Sequence, residues 1–556
     1  MKRLIAAAFA TALASPAFAA LPVPDKDDGA IKLPPGFRAL VVADDLGPLR
    51  FMTVAANGDV YVKMQTVGII ALRDADGDGR AEIRAAFGTG GGTGIGLRDG
   101  WLYSSTTTAV SRYKMTAGEL VPKGEPELVV SGLPDENQHN SKSFAFDEAG
   151  LLYVEVGSPS NSYGSPDRAK GAKGKDPTEF LKTHGGFWRF DPGKPNQTQA
   201  DGYHFSTGHR HVLAVARNPV SKAFFVVMMG RDQLNTVAPE YYNDDDNAEA
   251  PAEEMHVLRE GGSFGWPFTY FDPRKSARML APEFGGDNQK RAEAGKYPDP
   301  LVAFPAHWAP LQMAFYGGDQ FPAKYKGGAF VAFHGSWNRA PRPQRGYNVA
   351  FVPFGASGMP SGGYEVFADG FAGKDVFTST RDARFRPCGL AVGPDGSLYV
   401  ADSEKGRIWR IVYTGEAPTT PAPGASADAT AAGAPARTAT AAAAPAASQE
   451  PGAVTYLALC AACHMADGSG VPNMQPALKG SGFLASDATT LIRLVLFGPD
   501  KVLPASRPRY ENPMPELQGM LSDQEVADVL NYARRTFTGT TSAIEARDVA
   551  AQRARP

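Results

Sequence analysis

Cysteine is scarce: the 556-residue chain has three, and two of them stand together in Cys460-Ala461-Ala462-Cys463-His464. With that pair engaged, Cys388 has no partner and no intrachain disulfide can form. Charge of one sign is also lacking, since 56 Lys and Arg balance 59 Asp and Glu. The composition therefore offers no polycation for nucleic acid or anionic lipid, and no nucleic-acid partner is expected. Past the amino terminus no stretch reaches the ~18 uninterrupted apolar residues of a spanning helix, so no transmembrane segment is expected. The glycine-rich run Gly88 to Gly96 never forms G-x-G-x-x-G and reads as a connection, not a phosphate cradle.

The first residues read as a secretory signal peptide: Lys2 and Arg3, an apolar run from Leu4 through Leu13, then the small-residue pattern Ala17-Phe18-Ala19. Cleavage there (1–19) makes the mature protein periplasmic. Export agrees with C-x-x-C-H, the attachment pattern for c-type haem, because bacteria attach that haem outside the cytoplasm. Cys460 and Cys463 can add to the two vinyl groups of one porphyrin, and His464 is delivered to the iron as axial ligand. A soft thioether from a downstream loop completes such a site. Met514, in Asn512-Pro513-Met514-Pro515, is the expected ligand ahead of Met520 and Met474. Ser522 with Glu525 forms a capping box for a helix whose apolar face is Val526, Val529, Leu530 and Tyr532. Residues 452–537 resemble a class I cytochrome c domain, followed by a tail at 538–556.

Between 414 and 451 the composition turns to Ala, Pro, Thr, Gly and Ser, too poor in large apolar side chains to pack. This is a tether. The preceding module, 30–413, repeats a turn of small or polar residues leading into a strand. The six instances begin at Asn57-Gly58-Asp59, Asp99-Gly100, Glu148-Ala149-Gly150, Lys222-Ala223, Lys326-Gly327-Gly328 and Asp395-Gly396. Such a recurrence predicts an all-β six-bladed β-propeller ahead of the small all-α cytochrome c domain. The stretch from Phe37 to Val42 is placed to pair with the last blade and close the ring; a sandwich or β-helix is the alternative.

Asp74-Ala75-Asp76-Gly77-Asp78-Gly79 has the D-x-D-x-D-G spacing that aims alternate carboxylates at one hard cation. It departs from an EF-hand loop, with Glu82 at position nine and Ala85 at twelve, and a solvated acidic turn is the alternative to a calcium site. Glu253-Glu254 reads as a solvated acidic pair, with a further cation as the alternative. Four polar runs would converge on a propeller's central channel: Gln138 to Ser141, Thr207 to His211, His334 to Arg339 and Arg384 to Gly389.

The propeller segment resembles the pyrroloquinoline quinone (PQQ)-dependent sugar dehydrogenases of the soluble glucose and sorbosone dehydrogenase type. The likeness rests on His307-Trp308-Ala309-Pro310, Phe321 to Gly327, His334 to Arg339, Gly261 to Pro267, and Arg386-Pro387 leading to Asp395-Gly396. It fits the sorbosone branch better. The resemblance implies His139 as the base that takes the sugar hydroxyl proton and Arg210 as the group that polarises the quinone. PQQ carries three carboxylates, so it implies Arg339, Arg384 and Arg386 as cofactor contacts, His334 and Asn338 as polar lining, and a Ca²⁺ held in part at Gly230-Arg231. His211 replaces the Asn that follows this Arg in the glucose enzymes, and Asn161 to His184 reads as a loop over the channel mouth.

The expected protein is a periplasmic quinohaemoprotein dehydrogenase with PQQ, Ca²⁺ and one covalent haem c. It oxidises a sugar, sugar aldehyde or polyol and passes electrons to an external acceptor, another cytochrome or a membrane quinone pathway. A lactonase-like metal hydrolase and a non-catalytic carbohydrate- or partner-binding propeller are the rivals. Cys388, beside the expected site, reads as a packing residue.

Overall fold

The computed structural model describes residues 21–136, 138–415, 451–456, 476–504, 506–507, 516–518 and 521–554, with 460, 464, 468, 470, 510 and 514 as single positions. The expected signal peptide, the tether from 416 to 450, Cys463, Met474, Met520 and the residues flanking Met514 lie outside the described residues.

Six sheets follow one another along the chain, each built on four antiparallel strands, and they form the six-bladed propeller; two of them add a short fifth strand that pairs parallel. Their first strands are Leu49–Val54, Ile95–Arg98, Phe144–Phe146, Val212–Arg217, Pro310–Phe315 and Pro387–Val392. Each of the six turns anticipated from the sequence joins such a strand to the second strand of its blade. The ring closes as expected: Phe37–Ala43 pairs antiparallel with Ile408–Tyr413, Phe37 opposite Tyr413 and Val41 opposite Trp409, as outer strand of the last blade. First strands of neighbouring blades pack on one another in five of the six places around the ring and so line the axis. Gln312 stitches three of them, its Oε1 accepting from Met52 N and Leu390 N at 2.9 Å each and its Nε2 donating to Met52 O at 3.0 Å. Closure is sealed by rings: Phe37 meets Phe321, Phe367 and Tyr325 edge-on at 4.8, 5.0 and 5.3 Å.

Antiparallel pairing positions the site. Where the first strand of a blade begins, the second ends, so the segments before the one and after the other share one face, the mouth of the channel. Short bulges at the mouth ends of the first strands, between Leu49 and Met52, Val212 and Ala214, Pro310 and Met313, and Pro387 and Gly389, turn the side chains there out of regular alternation.

The carboxy-terminal module is helical: Pro451–Thr455, Ala488–Phe497, Asp523–Thr538 and Ala546–Arg553. Ser522 and Glu525 form the anticipated capping box, and Val526, Val529 and Leu530 are buried. The first helix crosses the third so closely that a Cβ on Gly452 would stand 2.0 Å from the Asp528 carbonyl oxygen; only glycine fits. The segment expected as a tail differs. Val549 is fully buried, and Arg553 ties the last helix to Asp523 at 2.7 Å and to Leu521 O at 2.8 Å.

Candidate active site and electron-transfer centre

His139 lies just before the first strand of the third blade, in a left-handed backbone conformation (φ 52°). Its Nδ1 is hydrogen-bonded to the Ser158 carbonyl, and the Ser158 N–H donates to Arg210 O at 2.9 Å. A carbonyl only accepts, so Nδ1 carries the hydrogen and Nε2 keeps its lone pair, without a hydrogen-bond partner among the described residues. Burial, then Arg210 and His211, hold the imidazole well below its ordinary value, with Arg168 adding to them. His211 stacks on it, centroids 4.8 Å apart and planes 29° from parallel. The Nδ1 of His211 faces Glu155 Oε1 at 3.1 Å, and this fully buried carboxylate also accepts from Val212 N at 3.0 Å.

Arg210, directly before the first strand of the fourth blade, is buried and fully engaged. Its Nη2 donates to Asp232 Oδ2 at 2.6 Å and to Asn161 Oδ1 at 3.1 Å, and its Nε to Asn161 O at 3.2 Å. Arg168, from the segment between Asn161 and His184, meets the same Asp232 oxygen at 3.2 Å and Gln138 Oε1 at 2.9 Å. Burial would raise the Asp232 carboxyl, but the two guanidinium groups prevail and hold it at about 2. His307 approaches its other oxygen at 3.9 Å and contacts Asn247 O through Nε2 at 2.7 Å; Asn338 Nδ2 reaches His307 Nδ1 at 3.3 Å. His139, Arg210 and Asn338 thus belong to one network.

A second group gathers where blades five, six and one meet. His334 Nε2 lies 2.6 Å from Ser403 Oγ, and Arg386 donates to His334 O at 3.1 Å and Gly335 O at 2.9 Å. Arg386 also faces Glu404 at 3.4 Å and walls a cavity of about 590 Å³, with Trp337, Gln65, Ser403, Glu404 and Lys405. The other two expected cofactor cations stand elsewhere. Arg339 is buried and committed to Ala248 O, Glu249 and Pro343 O, and Arg384 is exposed over the Phe385 ring at 5.1 Å.

Of the expected metal positions, Asp74, Asp76 and Asp78 hold ligand atoms within 4.8 Å of one another, and Glu82 joins them. Their oxygens also brace the loop: Asp74 accepts from Gly77 N at 2.7 Å and Gly79 N at 2.8 Å. At Gly230-Arg231 the Gly230 N–H donates to Glu253 Oε2 at 2.8 Å, and Arg231 pairs with the buried Glu283. Glu253 and Glu254 are not a solvated pair, since both are 2% exposed. Burial pushes the Glu253 carboxyl up to about 8, and Glu254, despite burial, is held at about 2 by Arg278 and His256. Cys388 is buried with its thiol against the carbonyls of Leu49 and Arg50, and burial raises it far above its ordinary value; it is inert packing.

In the helical module His464 Nδ1 lies 3.0 Å from the Pro476 carbonyl. That contact sets the tautomer and leaves Nε2 for a metal. Cys460 and Met514 are half-buried and border the same apolar cluster, built around Tyr456, Leu496, Val526 and Leu530.

Sequence reasoning passed over Asp232, Glu155, Arg168, Gln312 and Arg50. For Asp232, Glu155, Gln312 and Arg50 the signal is positional, since each lies on or shortly after a blade strand that runs to the mouth; Arg168, in the segment between Asn161 and His184, has none.

A propeller with a cationic, histidine-lined mouth, followed by a helical C-x-x-C-H module, is the architecture of a two-module redox protein. Residues 31–414 match the family model described as TrAA12-like, and the chain belongs to that family. Residues 449–536 match the model for cytochrome c. The chain is 30% identical over 187 residues to the pyrroloquinoline quinone-dependent pyranose dehydrogenase of Coprinopsis cinerea, covering 29% of this chain and 25% of that protein. Over 101 residues it is 43% identical to the cytochrome c subunit of the alcohol dehydrogenase (quinone) of Gluconobacter oxydans, covering 16% and 20%. A calcium structure of the Trichoderma reesei carbohydrate-active enzyme of family AA12 shares the fold, with a TM-score of 0.56 and 18% identity over 69% of this chain and 97% of that one. The chain spans between a quarter and about half of the length of the first curated relatives it matches.

Proposed function

We propose that this chain is a PQQ-dependent dehydrogenase for a sugar, a sugar-derived aldehyde or a polyol, and that its own haem c collects the electrons. The observation that carries the reading is the pairing at the mouth of a neutral imidazole with a free Nε2, on His139, and a buried guanidinium, on Arg210. Bound PQQ supplies an electrophilic quinone carbonyl that accepts a hydride. His139 Nε2 takes the hydroxyl proton as the C–H bond is lost, and Arg210, held by Asp232 and Asn161, keeps positive charge where negative charge develops. The charge at the mouth has the sign a tricarboxylate needs: Arg386 walls the cavity, and Arg210 and Arg168, both bound to Asp232, add positive charge to the site.

Ca²⁺ belongs to the reading, at Gly230-Arg231 beside the site or at the Asp74, Asp76, Asp78 loop, where Glu82 completes a four-carboxylate set. Covalent haem at Cys460 and Cys463, with His464 and Met514 as axial ligands, follows from the motif and from the Pro476 contact that orients His464. Oxidising a hydroxyl to a carbonyl releases two electrons, and haem iron takes one at a time before handing it to an external acceptor. A periplasmic location suits both the signal sequence and the haem; no helix among the described residues is long and apolar enough to cross a membrane.

The test is to load the oxidised protein with PQQ and Ca²⁺, offer aldoses, ketoaldehydes and polyols, and follow the haem bands. Haem reduction that requires both the quinone and one substrate class is expected. Haem that stays oxidised throughout, in protein that binds no PQQ, would overturn the reading.

A further inference from the structure

Past Thr538, the segment that reads as a tail in the sequence forms one helix more, Ala546–Arg553. Its connector is fixed at the start. Asn531 grips Ile544 from both sides, Nδ2 donating to Ile544 O and Oδ1 accepting from Ile544 N, each at 2.8 Å, and Arg534 donates to Ser542 O at 3.0 Å. Ile544 and Val549 are buried in the apolar cluster that Met514 borders. The helix is thus docked on the cytochrome module by apolar burial as well as by polar contacts.

Its far end reaches the segment that follows Met514. The half-buried Arg553 donates through Nη2 to Leu521 O at 2.8 Å, through Nη1 to Gln518 O, and through Nε to Asp523 Oδ1 at 2.7 Å. Met514 lies four residues before Gln518. On its other side the same segment is laced to the end of the helix Ala488–Phe497: Leu517 N donates to Val495 O at 3.1 Å and Gln518 N to Leu496 O at 3.2 Å. The Met514 carbonyl lies against Gly498, 3.4 Å from where a Cβ there would stand. The segment is therefore held between the last carbonyls of one helix and a guanidinium at the end of another.

We propose that Arg553 is a positioning residue for the haem: it straps down the segment behind Met514 and so keeps the methionine sulfur in place as axial ligand. The role of Met514 as ligand rests on the function proposed above; the strap itself rests on the three Arg553 bonds. Connecting segments open locally at less cost than a core, and an opening here carries the sulfur away with it. Charge-assisted bonds to two carbonyls oppose that opening, and the rigid fork of arginine is what lets one side chain span both. Methionine ligation raises the reduction potential of a haem, so the strap holds that potential up.

The test uses the full-length haem protein and two readouts. One is the far-red absorption band that methionine sulfur gives ferric haem, titrated away with imidazole; the other is deuterium exchange at the Leu517, Gln518 and Leu521 amides. Arg553→Gln is expected to tighten imidazole binding about tenfold to a hundredfold, to speed exchange at those amides by a similar factor, and to lower the reduction potential. Arg553→Lys should recover only part of each, since an ammonium has no fork to span two carbonyls and a carboxylate. Arg547→Gln, at an exposed position of the same helix, should leave all three unchanged. Arg553→Gln protein with wild-type imidazole affinity and exchange overturns the strap, even if it melts lower, because a merely structural role moves the melting alone. If that variant takes up no haem, Arg553→Lys decides: both readouts equal to wild type overturn the strap. Wild-type protein without the band, in which Arg553→Gln still speeds exchange at these amides, supports the strap and sinks Met514 as the ligand.

Discussion

A histidine that takes a proton near neutral pH must be neutral there, and His139 is kept so by burial, by Arg210 and His211, and by Arg168. The sign follows directly. Its base form is present above the lowered folded value and is lost as the pH falls through it, so kcat/KM with a soluble dye acceptor should stay level from neutral pH well past the ordinary histidine range. Arg168→Gln removes one of the positive charges that lower it. The acid limb should then move to higher pH while the neutral plateau survives, and an unmoved limb would remove Arg168 from control of the base. His139→Gln should cost about 10²–10⁴-fold in turnover at every pH, the usual worth of a positioned base. Arg168 and Asp232 were illegible in the sequence for a physical reason: a carboxylate that orients an arginine looks, in one dimension, like any surface charge. Arg339 shows the converse, since a guanidinium within reach of Ala248, Glu249 and Pro343 is consumed by them whatever motif it stands in.

The blades were legible as elements because their turns impose a backbone constraint that the sequence must meet. Five of the six turns carry a glycine at positive φ: Gly58 at 91°, Gly100 at 76°, Gly150 at 87°, Gly327 at 77° and Gly396 at 83°. The fourth blade places Lys222 there at 63°. A lysine in that conformation is strained by about 1–2 kcal/mol relative to glycine. Its ion pair with Glu148, at 3.3 Å between side chains that are 50% and 68% exposed, offsets at most about 1 kcal/mol. Lys222→Gly should therefore raise the unfolding temperature of the propeller, read by calorimetry; a lower one would mean that the ion pair outweighs the strain. The mouth was less legible than the turns, because its segments obey no common backbone rule. Only their position, before a first strand or after a second, marks them, as Ser158, Asp232 and Glu404 show.

At the scale of the whole molecule, two modules joined by 416–450 make sense if electrons pass within one chain, because a tether sets an effective concentration that dilution cannot lower. Haem reduction after mixing PQQ-loaded protein with substrate should then be first order, with a rate constant that does not change as the protein is diluted. The complementary mixture should fail. His139→Gln protein, with sound haem but no base, combined at low concentration with Cys460→Ala protein, which keeps the propeller but loses a haem attachment point, should show haem reduction far slower than wild type and rising with concentration. If the mixture matched wild type, the haem would be served by encounter between molecules, and the fusion would have to be explained by something other than electron transfer, such as co-export of the two modules.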